Sequence, residues 1–191
     1  MQLVFATNNE HKFNEIRSLL KQRADLLCLS DLGIVEDIEE IGSNLKENAL
    51  IKAKYVFDKF GYNVFADDTG LEVDALNGEP GVFSARYAGD DKNSDKNIEK
   101  LLLNMKNHKN RDARFKTVIA LFFNGNIHFF DGIVEGTILE NPIGNSGFGY
   151  DPIFKPNGFD TSFAQMDLET KNIISHRGRA IEKLMTFLFL S

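Results

Sequence analysis

The sequence predicts an α/β fold built around a mixed β-sheet. Short apolar runs of strand character alternate with segments whose apolar residues recur at helical spacing, the arrangement typical of α/β proteins. Two β-rich runs, at 113–123 and 126–139, are joined by Asn124-Gly125, the strongest short-range signal for a hairpin. A hairpin is antiparallel, whereas strand–helix–strand units favour parallel pairs, so we expect both directions in one sheet.

The clearest helix in the first half of the chain covers residues 43–61. Asn44 and Glu47 resemble a capping box, and Gly61 occupies the position of a C-terminal cap. One apolar stripe runs along this helix, formed by Leu45, Ala49, Ala53, Val56 and Phe60. The elements expected up to this point of the chain are a strand at 2–6, a helix at 9–23, a strand at 25–33, this helix and a strand at 62–66.

The second half continues the alternation and carries longer loops. A helix at 94–108 presents an apolar face, and a glycine-rich loop follows the hairpin at 141–152. The remaining expected elements are an extended stretch at 71–76, a loop at 77–89, a short helical patch near 162–168, a basic stretch at 175–180 and a final amphipathic helix on Ile181, Leu184, Met185 and Leu188.

Composition excludes several classes of protein. The 191 residues carry a formal net charge of −6, which argues against sequence-independent DNA binding because that requires a basic surface. Cys28 is the single cysteine, so an internal disulfide and a thiolate zinc cluster are both excluded. The first residues lack the basic region of a signal peptide, and no apolar run approaches the roughly 20 residues of a membrane-spanning helix. We therefore expect a cytoplasmic protein that binds neither nucleic acid nor membrane.

Asp67 and Asp68 directly follow an apolar strand. Two adjacent carboxylates there repel each other unless cations, donors or water compensate, and both a solvated turn and a metal site explain such a pair. If the strand continues through them, alternation places Asp67 on the face of Phe65 and Asp68 on the face of Ala66. The pattern does not decide which aspartate is functional, because the following Thr-Gly dipeptide can bend the chain first.

Other segments supply the remaining parts of a nucleotide–magnesium site. The loop at 7–12 precedes a helix start, where backbone N–H groups favour phosphate, and Lys12 adds positive charge. The acidic run at 36–44 provides further carboxylates, which suit Mg²⁺ or Mn²⁺ better than Zn²⁺. The loop at 141–152 offers accessible backbone and aromatic faces for a base, and the stretch at 175–180 offers donors to phosphate or to a purine carbonyl.

Five motifs in order resemble the inosine/xanthosine triphosphate pyrophosphatase family. They are "FATNNEHKFNEI", "EEIGSNLKENALIKAKY", "FADDTGLEVDALNGEPGVFSARYAG", "GFGYDPIF" and "SHRGRA", and the resemblance runs from residue 2 to about residue 188. It implies a single domain over 1–191, with an elongated two-lobed α/β fold around a central mixed sheet and a nucleotide cleft between the lobes. It also implies a homodimer that uses Mg²⁺, or Mn²⁺, to hydrolyse ITP, dITP and XTP to the monophosphate and pyrophosphate.

The resemblance also implies roles for individual residues. Asp68 would be the proton acceptor, and Glu39 and Asp68 would bind the metal. The residues implied to bind the triphosphate are Thr7, Asn8, Asn9, Glu10, His11 and Lys12, and Thr69 would touch the substrate. The residues implied to hold and read the base are Phe148, Gly149, Tyr150, Asp151, Lys171, His176 and Arg177.

Two departures from the family pattern concern the loops. Asn8 stands where the family usually has glycine, which predicts a stiffer phosphate loop, and Thr69 replaces the commoner serine while keeping the hydroxyl. Three alternatives are weighed against the family activity. An aspartyl-phosphate phosphatase needs two aspartates separated by one residue, whereas here they are adjacent. A pyrophosphatase for pyrimidine or modified nucleotides requires a substrate panel to exclude, and a non-catalytic nucleotide-binding protein is disfavoured by the presence of both Glu39 and Asp68.

Overall fold

A computed structural model of the protein describes residues 1–20, 23–36 and 38–190. Within these residues the strands are β1 (Gln2–Phe5), β2 (Asp25–Leu27), β3 (Val64–Val73), β4 (Pro80–Gly81), β5 (Asp112–Phe123), β6 (Asn126–Ile138) and β7 (Phe154–Pro156). The α-helices are α1 (Glu10–Leu20), α2 (Leu45–Phe60), α3 (Ser94–Met105), α4 (Leu168–Ile174) and α5 (His176–Leu190). Single turns of 3₁₀-helix occur at Ser30–Leu32, Asp74–Leu76, Ser84–Arg86, Asp151–Ile153 and Phe163–Gln165.

The strands form one mixed sheet, which confirms the predicted fold class. Their order is β2-β1-β3-β5-β6-β7, and β4 pairs with β3 outside this path. β1 runs parallel to both β2 and β3, whereas β4 is antiparallel to β3 and β7 is antiparallel to β6. The parallel pairs follow from the helices that connect their strands, and the antiparallel pairs follow from shorter connections.

The hairpin between β5 and β6 forms as predicted. Asn124 and Gly125 both have positive φ, at 50° and 78°, as the central residues of a type I′ turn require. This turn matches the right-handed twist of the two long strands that flank it.

β3 is longer than the sequence indicates and continues through Thr69-Gly70. A bend at Thr69-Gly70 was one expectation, but the strand is continuous from Val64 to Val73. Gly70 allows close packing here, because a Cβ at this position would lie 2.6 Å from the carbonyl oxygen of Gly81 in β4. Both aspartates therefore belong to the interior of a strand, and the interpretation of this segment as a solvated turn is wrong.

The caps of α2 agree with prediction in most respects. The Asn44 side chain accepts the backbone N–H of Glu47, and Gly61 ends the helix at φ 69° with its N–H bonded to Phe57. The Glu47 carboxylate accepts from the backbone N–H of Ser43 rather than from that of Asn44. The reciprocal bond of a capping box is thus displaced by one residue.

Several other predicted boundaries are wrong. The extended stretch expected at 71–76 ends at Val73, where a 3₁₀-helix begins. The second strand ends at Leu27, because the Asp31 carboxylate accepts the backbone N–H of Cys28 at 2.8 Å and the chain turns into a 3₁₀-helix. The basic stretch at 175–180 is not a segment before the final helix, since α5 begins at His176. The predicted C-terminal end of the first helix falls partly on residues 21 and 22, which lie outside the described residues.

The chain divides into two compact units. The first unit comprises Met1–Asp68, Thr117–Gly132 and Arg177–Ser191, and the second comprises Thr69–Lys116 and Ile133–His176. Two apolar clusters fill the first unit, one around Phe5 and Phe65 and the other around Val64 and Ala66, and a single larger cluster fills the second. No helix in the described part of the chain has the length and apolar character needed to cross a membrane.

Candidate active site

Asp67 and Asp68 are both buried in β3 and belong to its two opposite faces. Asp67 and Asp68 are 2% and 6% exposed as whole residues. The neighbouring strand residues separate in the same way, because Phe65 packs into one apolar cluster of the first unit and Ala66 into the other. The predicted alternation is confirmed, and each carboxylate has its own set of partners.

Asp67 is held by two cations. Its carboxylate accepts from Lys12 Nζ at 3.0 Å and from Arg177 Nε at 3.1 Å. Burial alone would raise the pKa of Asp67, but the charges of Lys12 and Arg177 outweigh burial and hold this pKa far below that of an ordinary aspartate. Asp67 is therefore a permanent anion at neutral pH and a poor proton acceptor.

Glu15 extends this ion pair into a chain of four charged side chains. Its carboxylate accepts from Arg177 Nη1, so the order of contacts is Glu15, Arg177, Asp67 and Lys12. Lys12 and Glu15 lie one turn apart on α1. Arg177 is the second residue of α5, and its side chain is 2% exposed. Two anions and two cations balance, which is the condition under which buried charges are tolerated.

Asp68 faces the helix α2. Its Oδ2 accepts from Asn48 Nδ2 at 3.0 Å, and Lys52 Nζ lies 3.9 Å from its Oδ1. Lys52 also forms an ion pair with Glu40. Burial raises the pKa of Asp68 above that of an ordinary aspartate although Lys52 and Lys12 oppose this shift. A carboxylate with a raised pKa is a stronger base than an ordinary aspartate. It is therefore suited to accept a proton from water, even with lysine ammonium groups nearby.

The predicted phosphate loop joins β1 to α1 and is internally bonded. Thr7 Oγ1 accepts the backbone N–H of Asn9, and Asn9 Oδ1 accepts that of Lys12, each at 3.1 Å. Asn9 therefore caps the helix and fixes the start of α1, while Glu10 and His11 expose their side chains. This arrangement leaves a helix N-terminus with Lys12 in its first turn, as the sequence predicts.

Asn8 connects the phosphate loop to the acidic run. Its Nδ2 donates to the carbonyl oxygens of Val35 and Glu36 at 3.4 and 3.3 Å. Asn8 does not have positive φ, so its backbone conformation has no need of the glycine that the family usually has here. The contact supplies a physical basis for the predicted stiffness of this loop.

In the second unit, a buried ion pair organises the glycine-rich loop. Asp151 Oδ2 accepts from Lys171 Nζ at 2.6 Å and from the backbone N–H of Phe148 at 2.9 Å. A Cβ at Gly147 would lie 2.0 Å from the same oxygen, so the loop closes around Asp151 only with glycine there. Lys171 Nζ also lies 5.0 Å from the centre of the half-buried Phe148 ring.

Tyr150 and His176, which are also predicted to bind the base, are held by contacts within this unit. The hydroxyl of Tyr150 donates to the carbonyl oxygen of Ser84 at 2.8 Å, and burial raises its pKa. His176 is buried and stacks on Phe115, with ring centres 4.6 Å apart. Thr69 is half-buried in β3. The positions of Tyr150 and His176 are therefore set by contacts within the protein.

Comparisons with known proteins agree with this geometry. Residues 3–187 match the model of the Ham1 family. The chain belongs to the Ham1 family. A relative from Christiangramia forsetii, named dITP/XTP pyrophosphatase, is 60% identical over 98% of this chain and 99% of its own length. A Flavobacterium johnsoniae protein of the same name is 54% identical, covering 98% of both chains.

Solved structures of Ham1 proteins are close to the present fold. The Coxiella burnetii HAM1 protein is 39% identical, has a TM-score of 0.91 and covers both chains completely. The Staphylococcus aureus Ham1 protein is 42% identical, with a TM-score of 0.89 and 98% of both chains covered. The resemblance inferred from the five motifs and the prediction of a nucleoside-triphosphate pyrophosphatase enzyme are both confirmed.

The predicted site residues of this Ham1 protein fall into two groups. The residues in the first unit are Thr7, Asn8, Asn9, Glu10, His11, Lys12, Glu39, Asp68 and Arg177. The residues in the second unit are Thr69, Phe148, Gly149, Tyr150, Asp151, Lys171 and His176. Their individual roles stay predictions.

Glu39 and Glu40 are neighbours in the acidic run, but their side chains have different surroundings. Glu39, the predicted metal ligand, exposes its side chain, whereas Glu40 pairs with Lys52 beside Asp68. The assignment of Glu39 to the metal stays a prediction, and Glu40 contributes to the electrostatics of Asp68.

Sequence reasoning missed four residues that contact the aspartates or their partners. They are Glu15, Glu40, Asn48 and Lys52. One signal was available, because Asn48 and Lys52 lie one turn apart beside the apolar stripe of α2, and polar residues at that spacing share a face. The partners on that face could not be read from the sequence.

Proposed function

We propose that this Ham1 protein is a Mg²⁺-dependent enzyme that hydrolyses non-standard purine nucleoside triphosphates, namely ITP, dITP and XTP, to the monophosphate and pyrophosphate. The activity would remove deaminated purines from the nucleotide pool. The observation that carries the proposal is the buried Asp68 carboxylate of β3, set beside Lys52 and Asn48. The names of the dITP/XTP pyrophosphatase relatives support the substrate class.

The carboxylates of the first unit fit a metal that is shared with the substrate. In the described part of the chain, no group of three or more histidine, cysteine, aspartate or glutamate side chains is arranged to hold a metal ion. Mg²⁺ commonly takes one or two carboxylates and completes its shell with water and substrate phosphates. Asp68 and the exposed Glu39 would supply those carboxylates. When bound, Mg²⁺ would neutralise phosphate charge and acidify a water molecule.

The proposed reaction breaks the bond between the α-phosphorus and the oxygen that bridges to the β-phosphate. Water attacks the α-phosphorus, and pyrophosphate leaves with the bridging oxygen. Asp68 accepts a proton from the attacking water, as a buried carboxylate held by Asn48 at one oxygen and approached by Lys52 at the other. Lys52 stabilises the Asp68 carboxylate before proton transfer, since its ammonium lies 3.9 Å away.

The loop from Thr7 to Lys12 is proposed to bind the triphosphate. The N-terminus of α1 presents the positive end of the helix dipole to an anion, and Lys12 adds a full charge in the first turn. Asp67 holds Lys12 at 3.0 Å, which limits the rotamer entropy that phosphate binding would otherwise cost.

The glycine-rich loop of the second unit is proposed to bind the base. Phe148 offers an aromatic face, and the Lys171–Asp151 ion pair fixes the backbone beside that ring. Selection of a 6-oxo purine requires donors directed at that oxygen, and a base lacking it would leave such donors unpaired. The backbone N–H groups of this loop and the side chain of His176 are the proposed donors. A homodimer, as the resemblance implies, is likewise proposed.

A pyrophosphate-release assay tests the function directly. The purified protein is given ITP, XTP, dITP, GTP, ATP and CTP, with Mg²⁺ or with excess EDTA. We expect release from the first three substrates in Mg²⁺ and its loss in EDTA, with recovery when Mg²⁺ is restored. Equal turnover of all six would contradict the substrate class, and undiminished turnover in EDTA would contradict the metal.

Lys12→Ala tests the phosphate loop. We expect a higher KM for ITP with a smaller effect on kcat, because the lysine contacts a triphosphate that is present in both ground state and transition state. Lys54→Ala is the matched control, since Lys54 is an exposed lysine paired with Asp58 on the surface of α2. An unchanged KM in Lys12→Ala would remove the loop from the substrate site.

A further inference from the structure

Asn48 joins Asp68 to the acidic run. The residue lies on α2 and is fully buried, with none of its surface exposed. Its Nδ2 donates to Asp68 Oδ2 at 3.0 Å, and its Oδ1 accepts the backbone N–H of Gly42 at 2.8 Å. Reversing the amide would set its oxygen against the carboxylate and its NH₂ against a backbone N–H. The two bonds together therefore fix one orientation of the side chain.

Gly42 is adapted to this contact. A Cβ at position 42 would lie 2.7 Å from Asn48 Oδ1 and 2.7 Å from Glu47 Cβ. Real Cβ atoms do not approach so closely, so any other residue would displace either the Asn48 amide or the backbone of the acidic run. The start of α2 and this glycine thus form a close contact that depends on both partners.

We propose that Asn48 is a positioning residue that fixes the Asp68 carboxylate in the orientation needed for proton transfer and couples it to the segment carrying Glu39 and Glu40. Asn48 constrains Oδ2 of Asp68, and Lys52 approaches Oδ1, so rotation of the carboxylate is restricted from both sides. The amide oxygen of Asn48 also accepts the backbone N–H of Gly42 and thereby fixes the position of the end of the acidic run. The catalytic consequence rests on the proposed function, whereas the coupling of Asn48 to Asp68 does not.

Two single substitutions on different elements should have the same effect. Asn48→Ala removes the amide, and Gly42→Ala displaces it. We expect each to lower kcat for ITP by roughly 10- to 100-fold, the usual cost of losing a group that orients a ligand or base. KM should be unchanged, because Asn48 contacts Asp68 rather than the phosphate loop. The double variant should be no slower than the slower single variant, since both changes break one link.

Asn44→Ala separates positioning from general destabilisation. Asn44 caps the same helix through the backbone N–H of Glu47 and makes no bond to Asp68 in the described contacts. We expect it to lower the midpoint of urea unfolding while kcat stays at the wild-type value. Wild-type kcat in Asn48→Ala, or an equal loss of kcat in Asn44→Ala, would overturn the proposal.

A double-mutant cycle in urea unfolding tests the coupling without substrate. Asn48→Ala, Asp68→Ala and the double variant are unfolded in the presence of EDTA, and we expect the shifts in midpoint to be non-additive. Additive shifts would overturn the coupling even if the enzyme were active. If the wild-type protein released no pyrophosphate from any triphosphate, the proposed function would fail while this cycle still decided the role of Asn48 toward Asp68.

Discussion

Asp68→Asn is expected to leave the fold intact and to lower kcat for ITP by about 10²- to 10⁴-fold, the range over which a positioned general base contributes. Asparagine keeps the size of the side chain and an oxygen that still accepts from Asn48 Nδ2. Lys52 retains Glu40 as an ionic partner. The substitution thus removes the charge and the proton-accepting capacity while the packing is preserved. Single-turnover pyrophosphate release measures the chemical step directly.

The matched control for this variant is Asp58→Asn, because Asp58 is an exposed aspartate of α2 that pairs with Lys54. It should turn over ITP at the wild-type rate. Near-normal turnover by Asp68→Asn would reassign the base. Circular dichroism and a urea unfolding curve establish that both variants are folded.

Asp67→Asn is expected to produce the opposite phenotype, with stability as the property most affected. The change removes the anion between Lys12 and Arg177 and leaves their charges under-compensated in the interior of the first unit. Breaking a buried ion pair by removing one partner costs about 3–5 kcal/mol of unfolding free energy. Urea unfolding at pH 7 measures this cost, and Asp58→Asn should fall within about 0.5 kcal/mol of wild type, as surface changes do.

The stability difference should depend on pH in a defined direction. The pKa of Asp67 is depressed in the folded state, so its charge contributes stability at pH values above the ordinary carboxyl pKa of about 4. That contribution is lost as the pH falls below this value toward the folded pKa. The unfolding free energies of wild type and Asp67→Asn should therefore converge between pH 5 and the most acidic pH at which both still fold. A difference that is constant with pH would show that the loss arises from packing.

Much of the fold follows from local signals in the sequence. Asn124-Gly125 specifies a turn with two positive φ angles, and Gly61 ends α2 in the left-handed conformation, because both depend on the conformational preferences of a few neighbouring residues. The bend expected at Thr69-Gly70 is wrong because a distant contact decides the conformation there. The close approach of Gly70 to Gly81 keeps β3 extended at a position whose composition is typical of a turn.

The candidate site was predictable to a smaller extent. Strand alternation correctly separated Asp67 from Asp68, since it needs only the period of a strand. The partners of Asp67 lie 55 and 110 positions away along the chain, and no local pattern indicates that Lys12 and Arg177 meet the same carboxylate. Arg177 was expected to face the base, and its contacts with Glu15 and Asp67 became visible only in three dimensions. Family resemblance predicted the site residues, and the structure shows which side chains lie next to them.

The stacked rings of Phe5 and Phe65 have a consequence for the evolution of this chain. Their centres are 4.7 Å apart with the planes inclined by 6°, on the same residue pair that aligns β1 with β3. A shift of β3 by one residue would exchange the faces of the two carboxylates, placing Asp67 toward α2 and Asp68 toward α1 and α5. The position of each aspartate along the strand, odd or even, therefore decides which one pairs with Lys12 and Arg177 and which one lies beside Asn48 and Lys52. A single inserted or deleted residue before Asp67 would exchange these surroundings without altering either side chain, and the phenylalanine pair opposes that slip.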